Sequence, residues 1–335
     1  MRLRLLVCLA VPAAIALGAG PGAAPAKDEA KPAKAWSAPR TADGHPDLQG
    51  YWTNATYIPL ERPKELGTKE FYTQAEALAF EQKRVDQEHS QAADDIHYDN
   101  VIWQGDKWAK GAPSLRTSIV FDPPDGRIPP LSAEGQKLAA ERAAARREYP
   151  ATSPESRSLA ERCITWGADG PPLLGSTYNA NVEILQSAGA GPMVILTEMM
   201  HSARTVFMDG RPHLAANIHQ LGGDSRGHWE GDTLVIDSTN FSDKTNFRGP
   251  PATARQDIFS SPQLHVIERF TRTGEDTIVY RFTVEDPGVW SKPWSGELLL
   301  RKTKGPIFEY ACHEGNYGLA DILENARKAA EKKAN

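Results

Sequence analysis

A serine in the segment GDSRG, Gly223–Gly227, stands in the pattern G-x-S-x-G that many serine hydrolases use for their nucleophile. In those enzymes a strand, a sharp turn and a following helix lift the serine above a parallel sheet. Here the preceding residues have a loop-like composition, and the following HWEGDTLVID has the pattern of a strand. We therefore predict that Ser225 belongs to a turn over 222–227, held by Asp and Ser side chains, and is not a nucleophile.

Two glutamates alternate with apolar residues and are the best candidates for acid–base chemistry. Glu198 shares one predicted strand face with Val194, Leu196 and Met200, and Glu268 shares another with Leu264, Val266 and Phe270. An interior carboxyl group loses hydration, which raises its pKa towards the range of a general acid or base. We predict catalytic roles for Glu198, Glu268, His201 and His313. The alternative is a structural Glu–Arg pair inside the fold, with Arg204 as the arginine.

Motifs for bound cofactors are absent from the sequence. It contains no Walker loop, no G-x-G-x-x-G and no His-Glu-x-x-His, and His313-Glu314 lacks the second histidine. The other histidines are scattered rather than set at a chelating spacing. We therefore predict neither a metal nor a cofactor.

Aromatic residues recur on or near the predicted strands, a distribution typical of a ligand pocket and also of an ordinary core. We predict a small-molecule ligand, contacted by one cation, one amide and four aromatic side chains: Arg204, Asn316, Trp229, Tyr280, Phe282 and Tyr310.

The segments that must position these residues change character at Cys163. Beyond it the chain consists of short β-branched and aromatic segments separated by Gly, Asp, Pro and Asn, which predicts an antiparallel sheet of consecutive hairpins. Such a sheet usually closes or half-closes to hide its edges. Apolar residues spaced i, i+3, i+4, i+7 (Leu319, Ile322, Leu323 and Ala326) then predict a C-terminal helix.

The N-terminal part has three sections. Residues 1–26, with Arg2 and Arg4 before an apolar stretch, are typical of a cleaved signal peptide, and 27–44 of a flexible leader. Residues 45–160 are predicted to be helical and loop-rich with one or two strands. Thr73 and Glu76 form a capping box for one helix, and Ser132 caps another.

Two cysteines, Cys163 and Cys312, stay after removal of the signal peptide, which carries Cys8. An even number of cysteines in an exported protein favours a disulfide, and two buried free thiols are the alternative. The formal net charge of −5 and the absence of a basic stripe argue against a nucleic-acid partner. No later apolar segment is long enough to predict a membrane span.

Several motifs together resemble a family of exported bacterial proteins of unknown function: HPDLQGYW, DPPDGRIPP, DGRPH, GDSRGHWEGDTLVIDSTNF and ACHEGNYG. The resemblance covers about residues 45 to 328 and implies no catalytic roles. The pattern WEGDTLVID, ERFTR, DTIVYRFTVEDP in the C-terminal half is also similar to lipocalin-like, or calycin, barrels.

We therefore predict a mainly β protein of the periplasm or extracellular space. An antiparallel lipocalin-like barrel or strongly curved sheet would span 161–313, with helical and loop decoration before it and a helix and tail over 314–335. The predicted function is binding of a small, largely apolar or aromatic molecule inside the barrel. Two alternatives stay open: a cofactor-free acid–base enzyme (lyase, isomerase or hydrolase), and a structural or partner-binding envelope protein.

Overall fold

The computed structural model describes residues 36–89, 113–148, 153–166, 169–175, 179–244, 246–247 and 258–334. The predicted signal peptide and most of the predicted leader lie outside these residues, so both stay predictions. Residues from Trp36 onward form one compact unit.

Within these residues the helices are α1 (Gln74–His89), α2 (Ala133–Glu148) and α3 (Tyr317–Ala334), with short 3-10 turns at Lys64–Leu66, Pro154–Ser156 and Met199–His201. The strands are β1 (Gly50–Thr53), β2 (Val120–Asp122), β3 (Asn181–Gln186), β4 (Met193–Thr197), β5 (Ala203–Phe207), β6 (Asp224–Glu230), β7 (Thr233–Thr239), β8 (Asn246–Phe247), β9 (Ile258–Phe259), β10 (His265–Gly274), β11 (Thr277–Glu285) and β12 (Trp294–Lys302).

Nine strands form a closed barrel in the order β1-β3-β4-β5-β6-β7-β10-β11-β12, and β12 pairs back to β1 with Trp52 opposite Lys302. Neighbours are antiparallel except β5 and β6, which are parallel because residues 208–223 cross back between them. β2 pairs with the start of β12 at Ser295 and Gly296, and β8 and β9 form a separate two-stranded sheet. The predicted lipocalin-like barrel is confirmed. It also extends beyond 161–313, since β1 closes it.

Side chains alternate between the two faces of the barrel wall. On β10 and β11 the inward-facing residues are almost fully buried: Val266, Glu268, Phe270, Ile278, Tyr280, Phe282 and Val284. Gly296 on β12 lies opposite Phe282, and a Cβ there would lie 2.3 Å from the phenyl ring. The aromatic interior therefore requires glycine at this position.

The predicted inner face of β4 is wrong. Met193, Ile195 and Thr197 are buried, whereas Val194 and Leu196 lie on the other face and are only partly buried. The strand ends at Thr197, and Glu198 has helical backbone angles, so strand alternation does not extend to it. Both faces of this strand are apolar, so the sequence pattern did not fix which one points inward.

The predicted turn over 222–227 is only partly correct, because β6 begins at Asp224. Ser225 lies within that strand, is 2% exposed, and shares a 2.8 Å hydrogen bond with the Ser238 hydroxyl. The segment predicted as one strand is a hairpin that turns at Gly231, whose φ of +59° favours glycine. β6 continues through the hairpin into β7, so the helix that supports a serine nucleophile elbow does not follow Ser225.

The predicted helix caps are confirmed. The Thr73 N–H donates to Glu76 Oε2 at 2.8 Å, and the Glu76 N–H donates to Thr73 Oγ1 at 3.3 Å, a capping box before α1. The Gly135 N–H donates to Ser132 Oγ at 3.0 Å at the start of α2. Cys163 and Cys312 form the predicted disulfide, with Cα atoms 5.7 Å apart.

Candidate functional site

A charged pair lies inside the barrel. Arg204 of β5 makes a bidentate contact with Glu268 of β10, with the Arg204 Nη2 atom 2.9 Å from Glu268 Oε1 and a second bond between Nη1 and Oε2. Glu268 is fully buried, and the Arg204 side chain is 11% exposed. A desolvated ion pair persists only with such geometry. Glu268 therefore has its predicted interior position, and its contact with Arg204 is the Glu–Arg pair given above as the structural alternative to a catalytic role.

Tyr280 of β11 completes this group. Its hydroxyl donates to Glu268 Oε1 at 2.9 Å and accepts the Leu173 N–H at 2.8 Å. Burial, reinforced by the charge of Glu268, raises the pKa of Tyr280 well above its usual value. Tyr280 therefore keeps its proton and acts as a donor to the carboxylate.

We name residues 169–175 the plug, because this segment packs into the hydrophobic core beside Tyr280. Leu173 and Leu174 have no exposed surface, and the Leu173 N–H anchors the plug to Tyr280. Since Leu173 reaches the inward-facing Tyr280 hydroxyl, the plug packs against the barrel interior.

Asp169 begins the plug and is 7% exposed. Its Oδ2 accepts the Trp166 N–H at 2.9 Å and the Ser202 hydroxyl at 3.2 Å, with Thr165 at 3.4 Å. Its Oδ1 is buried without a partner among the described residues. Burial raises the pKa of Asp169 to about 7, although these hydrogen bonds act in the opposite direction.

Asp169 and the Arg204 pair lie at the same end of the barrel. Ser202, which contacts Asp169, precedes Arg204 by two residues in extended backbone, so both side chains lie on one face of the chain. The plug contacts this group at two points. Asp169 accepts the Ser202 hydroxyl, and the Leu173 N–H donates to the Tyr280 hydroxyl, which donates to Glu268. We name this group the polar mouth: Thr165, Asp169, Ser202, Arg204, Glu268 and Tyr280.

Glu198 does not join the polar mouth. Its Oε2 accepts the Asn181 side-chain amide at 3.0 Å and the Phe308 N–H at 3.3 Å, so it anchors the segment after β12 to the start of β3. Glu198 is 4% exposed, which agrees with the predicted burial. Its hydrogen-bond partners belong to β3 and to the segment after β12, not to the polar mouth. A groove of about 300 Å³ lies beside Asn181, lined by 303–308.

The two predicted catalytic histidines lie elsewhere. His201 is exposed and has φ of +51° in the turn after β4. The His313 Nε2 atom donates to the carbonyl oxygen of Cys163 at 2.8 Å, beside the disulfide. No side-chain hydrogen bond or ion pair joins any two of Glu198, Glu268, His201 and His313 in the described part of the chain. The four residues therefore do not form the acid–base site that alternation suggested.

Three of the predicted ligand residues, Arg204, Tyr280 and Phe282, lie on the inner face of the barrel. Trp229, on the inner face of β6 at the other end, stacks on His45 with ring centres 4.8 Å apart. Tyr310 and Asn316 follow β12, and the Asn316 amide donates to the carbonyl oxygen of Glu161 at 2.7 Å. The structure does not bring these last two residues to the barrel interior.

A second cluster of titratable groups lies on the outer wall. His265 Nε2 and His213 Nε2 lie 3.0 Å and 3.2 Å from the same oxygen of Asp237, while His265 Nδ1 faces Glu285 and His213 Nδ1 faces Asp224. The hydrogen bond to Asp237 raises the pKa of His265, and the bond from His265 lowers the pKa of Asp237. Within the described ranges, no group of three His, Cys, Asp or Glu side chains is arranged to hold a metal ion.

Sequence reasoning missed Asp169. It lies in DGPPLL, a segment with no periodicity, so no pattern marked it as buried. The available signal was an aspartate followed by Gly-Pro-Pro and two leucines: a rigid turn that leads directly into apolar residues.

Comparisons of the chain with family models, curated proteins and solved structures gave no match. The resemblance to exported bacterial proteins therefore stays a prediction. Among the residues that the structure describes, no helix is long and apolar enough to cross a membrane.

Proposed function

We propose that this is an exported protein that binds a small, largely apolar or aromatic molecule inside the barrel. One observation carries the proposal: the inner wall holds buried hydrogen-bond donors without acceptors. Arg204 Nε and Trp294 Nε1 have no partner among the described residues. Buried donors in folded proteins are usually satisfied, so a ligand that offers acceptor oxygens fits this wall.

The surroundings of these donors indicate the rest of the ligand. The Trp294 and Phe282 rings meet edge to face with their centres 5.6 Å apart. The Phe282 and Tyr280 ring centres are 5.8 Å apart, and Tyr280 in turn contacts the Phe270 ring. An aromatic wall with few polar groups favours a flat, apolar molecule. Entry requires the plug to move, because Leu173 and Leu174 occupy the end of the barrel.

The localisation is supported by the disulfide, which is typical of oxidising compartments. The predicted signal peptide over 1–26 is part of the same proposal.

Native mass spectrometry of the mature protein, purified from the periplasm of an expressing bacterium, tests the proposal. We expect an organic mass that denaturation releases. Trp294→Phe, which keeps the ring contacts but removes the N–H, should lower the occupancy or affinity about tenfold. Trp36→Phe is the matched control, because Trp36 is 44% exposed. If no mass co-purifies and the apolar dye 1-anilinonaphthalene-8-sulfonate does not bind, the proposal fails, and a structural envelope role is favoured.

A further inference from the structure

One buried side chain joins the two walls of the groove that follows β12. The groove has a volume of about 300 Å³ and is lined by Asn181, at the start of β3, and by residues 303–308. Glu198 Oε2 accepts the Asn181 side-chain amide at 3.0 Å from one wall and the Phe308 N–H at 3.3 Å from the other. Glu198 is 4% exposed, so this bridge is shielded from water and fixes the two walls relative to each other.

Two further contacts hold residues 303–308, although this segment has no regular secondary structure. The Thr303 N–H donates to the Tyr51 carbonyl oxygen at 2.9 Å. Gly305 has φ of +55° and packs on the Tyr51 ring, where a Cβ would lie 2.1 Å from the nearest ring atom. A groove whose frame is fixed before binding spares a ligand the entropy cost of ordering it.

The lining combines apolar side chains with a single cation. Pro306, Ile307 and Phe308 form the apolar part, and Phe308 is 61% exposed. Lys304 also lines the groove, and no carboxylate among the residues that the structure describes pairs with it. Glu198 is not a lining residue, and two N–H donors occupy its Oε2. The groove therefore offers one positive charge beside an apolar surface.

We propose that this groove is a binding site for a small aromatic carboxylate, separate from the barrel interior. The Lys304 ammonium pairs with the carboxylate, and the ligand ring packs on Pro306 and Phe308. A volume of about 300 Å³ lies at the lower end of the range for small-molecule pockets, which favours a ligand with one ring. The site does not depend on the ligand proposed for the barrel.

The probe is 4-fluorobenzoate, titrated with the mature, disulfide-bonded protein and followed by fluorine NMR. We expect a Kd of roughly 0.1–1 mM, which is typical of a ligand with so few atoms. The neutral 4-fluorobenzamide has nearly the same shape, and it should bind about fivefold more weakly because it cannot pair with Lys304. Sodium chloride at about 1 M should remove this difference by screening the charges.

Three variants assign the contacts. Lys304→Gln should weaken binding of the acid about fivefold and leave binding of the amide unchanged. Phe308→Ala should weaken both about fivefold, because both share the ring. Lys292→Gln removes an exposed lysine that does not line the groove, and it should change neither.

Glu198 is a positioning residue in this proposal. Glu198→Gln keeps an acceptor oxygen for the two N–H groups and should keep the binding of both probes. Glu198→Ala loses the bridge between the walls and should weaken both probes equally, with circular dichroism as the check that the barrel is folded.

Equal affinity for the acid and the amide, or acid binding that Lys304→Gln or Phe308→Ala leaves unchanged, overturns the inference. The absence of binding by either probe at about 10 mM also overturns it and leaves the barrel proposal intact. Trp294→Phe is measured alongside. If this variant loses the acid while Lys304→Gln retains it, the probe lies in the barrel, which overturns the groove site and supports the proposed function.

Discussion

Strand β10 carries charged residues on both faces of the barrel wall. Glu268 and Arg269 are neighbours on β10, yet Glu268 is fully buried against Arg204, while Arg269 meets Glu230 on the outer surface at 2.7 Å. The desolvated pair depends on both of its members, because either one alone would be an uncompensated charge in an apolar interior. The exposed pair is hydrated whether or not it forms.

Glu268→Gln tests this contrast. The variant leaves the Arg204 charge buried without its counterion, and we expect it to lower the free energy of unfolding by about 3–5 kcal/mol. Glu230→Gln, on the outer surface, should change it by less than about 1 kcal/mol. Urea unfolding measures both. If Glu268→Gln lowers the free energy of unfolding no more than Glu230→Gln does, the buried Arg204–Glu268 pair does not make the predicted contribution.

Asp169 gives the plug a pH dependence. Its pKa is raised by burial from 3.8 to about 7, so the folded protein binds this proton more tightly than the unfolded chain does. The resulting stability is complete below about pH 4 and is lost as the pH rises to about 7, a difference of up to about 4 kcal/mol. Asn cannot ionise, so Asp169→Asn should remove this slope between pH 4 and 7 and be more stable than the wild type at pH 8. Urea unfolding over that range, with Asp243→Asn as the control, measures it, and an unchanged slope would count against the buried carboxyl group.

At the scale of elements, distant segments complete the barrel. β1 lies more than a hundred residues before β3 in the chain, yet it joins β3 to β12 and closes the wall. The plug fills one end, and at the other end Arg272 donates to the Asp47 carbonyl oxygen at 2.6 Å and lies over Trp52. The disulfide encloses eight of the nine barrel strands, since Cys163 precedes β3 and Cys312 follows β12, whereas β1 lies before Cys163.

Removal of the disulfide should therefore destabilise the whole barrel. A crosslink across 149 residues restricts the unfolded chain, and loop-closure entropy gives a stabilisation of about 5 kcal/mol. We expect Cys163→Ser/Cys312→Ser to lose most of this amount, measured by urea unfolding without reductant. The wild-type protein in reductant should unfold at the same midpoint as the double variant, and a midpoint equal to that of the oxidised protein would refute the prediction.

At the scale of the whole molecule, the groups whose pKa values are shifted in the folded state determine the pH of greatest stability. The raised pKa values of Asp169, Asp286 and His265 each give stability that is lost as the pH rises through the folded value. The lowered pKa values of Asp237 and Glu297 give stability that is lost as the pH falls below the usual carboxyl range. Stability should therefore be greatest near pH 4–5, because the Asp169 contribution falls steadily above pH 4.

His265→Gln tests the outer-wall part of this balance. The hydrogen bond to Asp237 raises the pKa of His265 above its ordinary value of 6.5. The stability that His265 contributes is therefore complete below pH 6.5 and is lost as the pH rises through the pKa of the folded state. We expect the variant to be less stable than the wild type at pH 5.5 by roughly 0.5–1 kcal/mol, since the group is partly exposed. The difference should shrink at pH 9, and an equal difference at both values would show that packing rather than charge is lost.

The sequence by itself determined the features that depend on neighbouring residues. Alternation on β10 and β11 predicted the buried position of Glu268, the capping box predicted the start of α1, and the cysteine count predicted the disulfide. Each signal is local: a period of two residues, an i, i+3 pair, or a count.

Only the tertiary structure decided which face of β4 points inward, that β1 closes the barrel, and that Asp169 is buried beside Ser202. Burial depends on which distant segments pack together, and such pairing leaves no periodic trace in the chain. The separation of Glu198 from Glu268 has the same origin, because the face of β4 that carries Val194 and Leu196 points away from the interior and the strand ends at Thr197. The polar mouth is therefore a product of long-range packing, whereas the strands that frame it follow from local sequence.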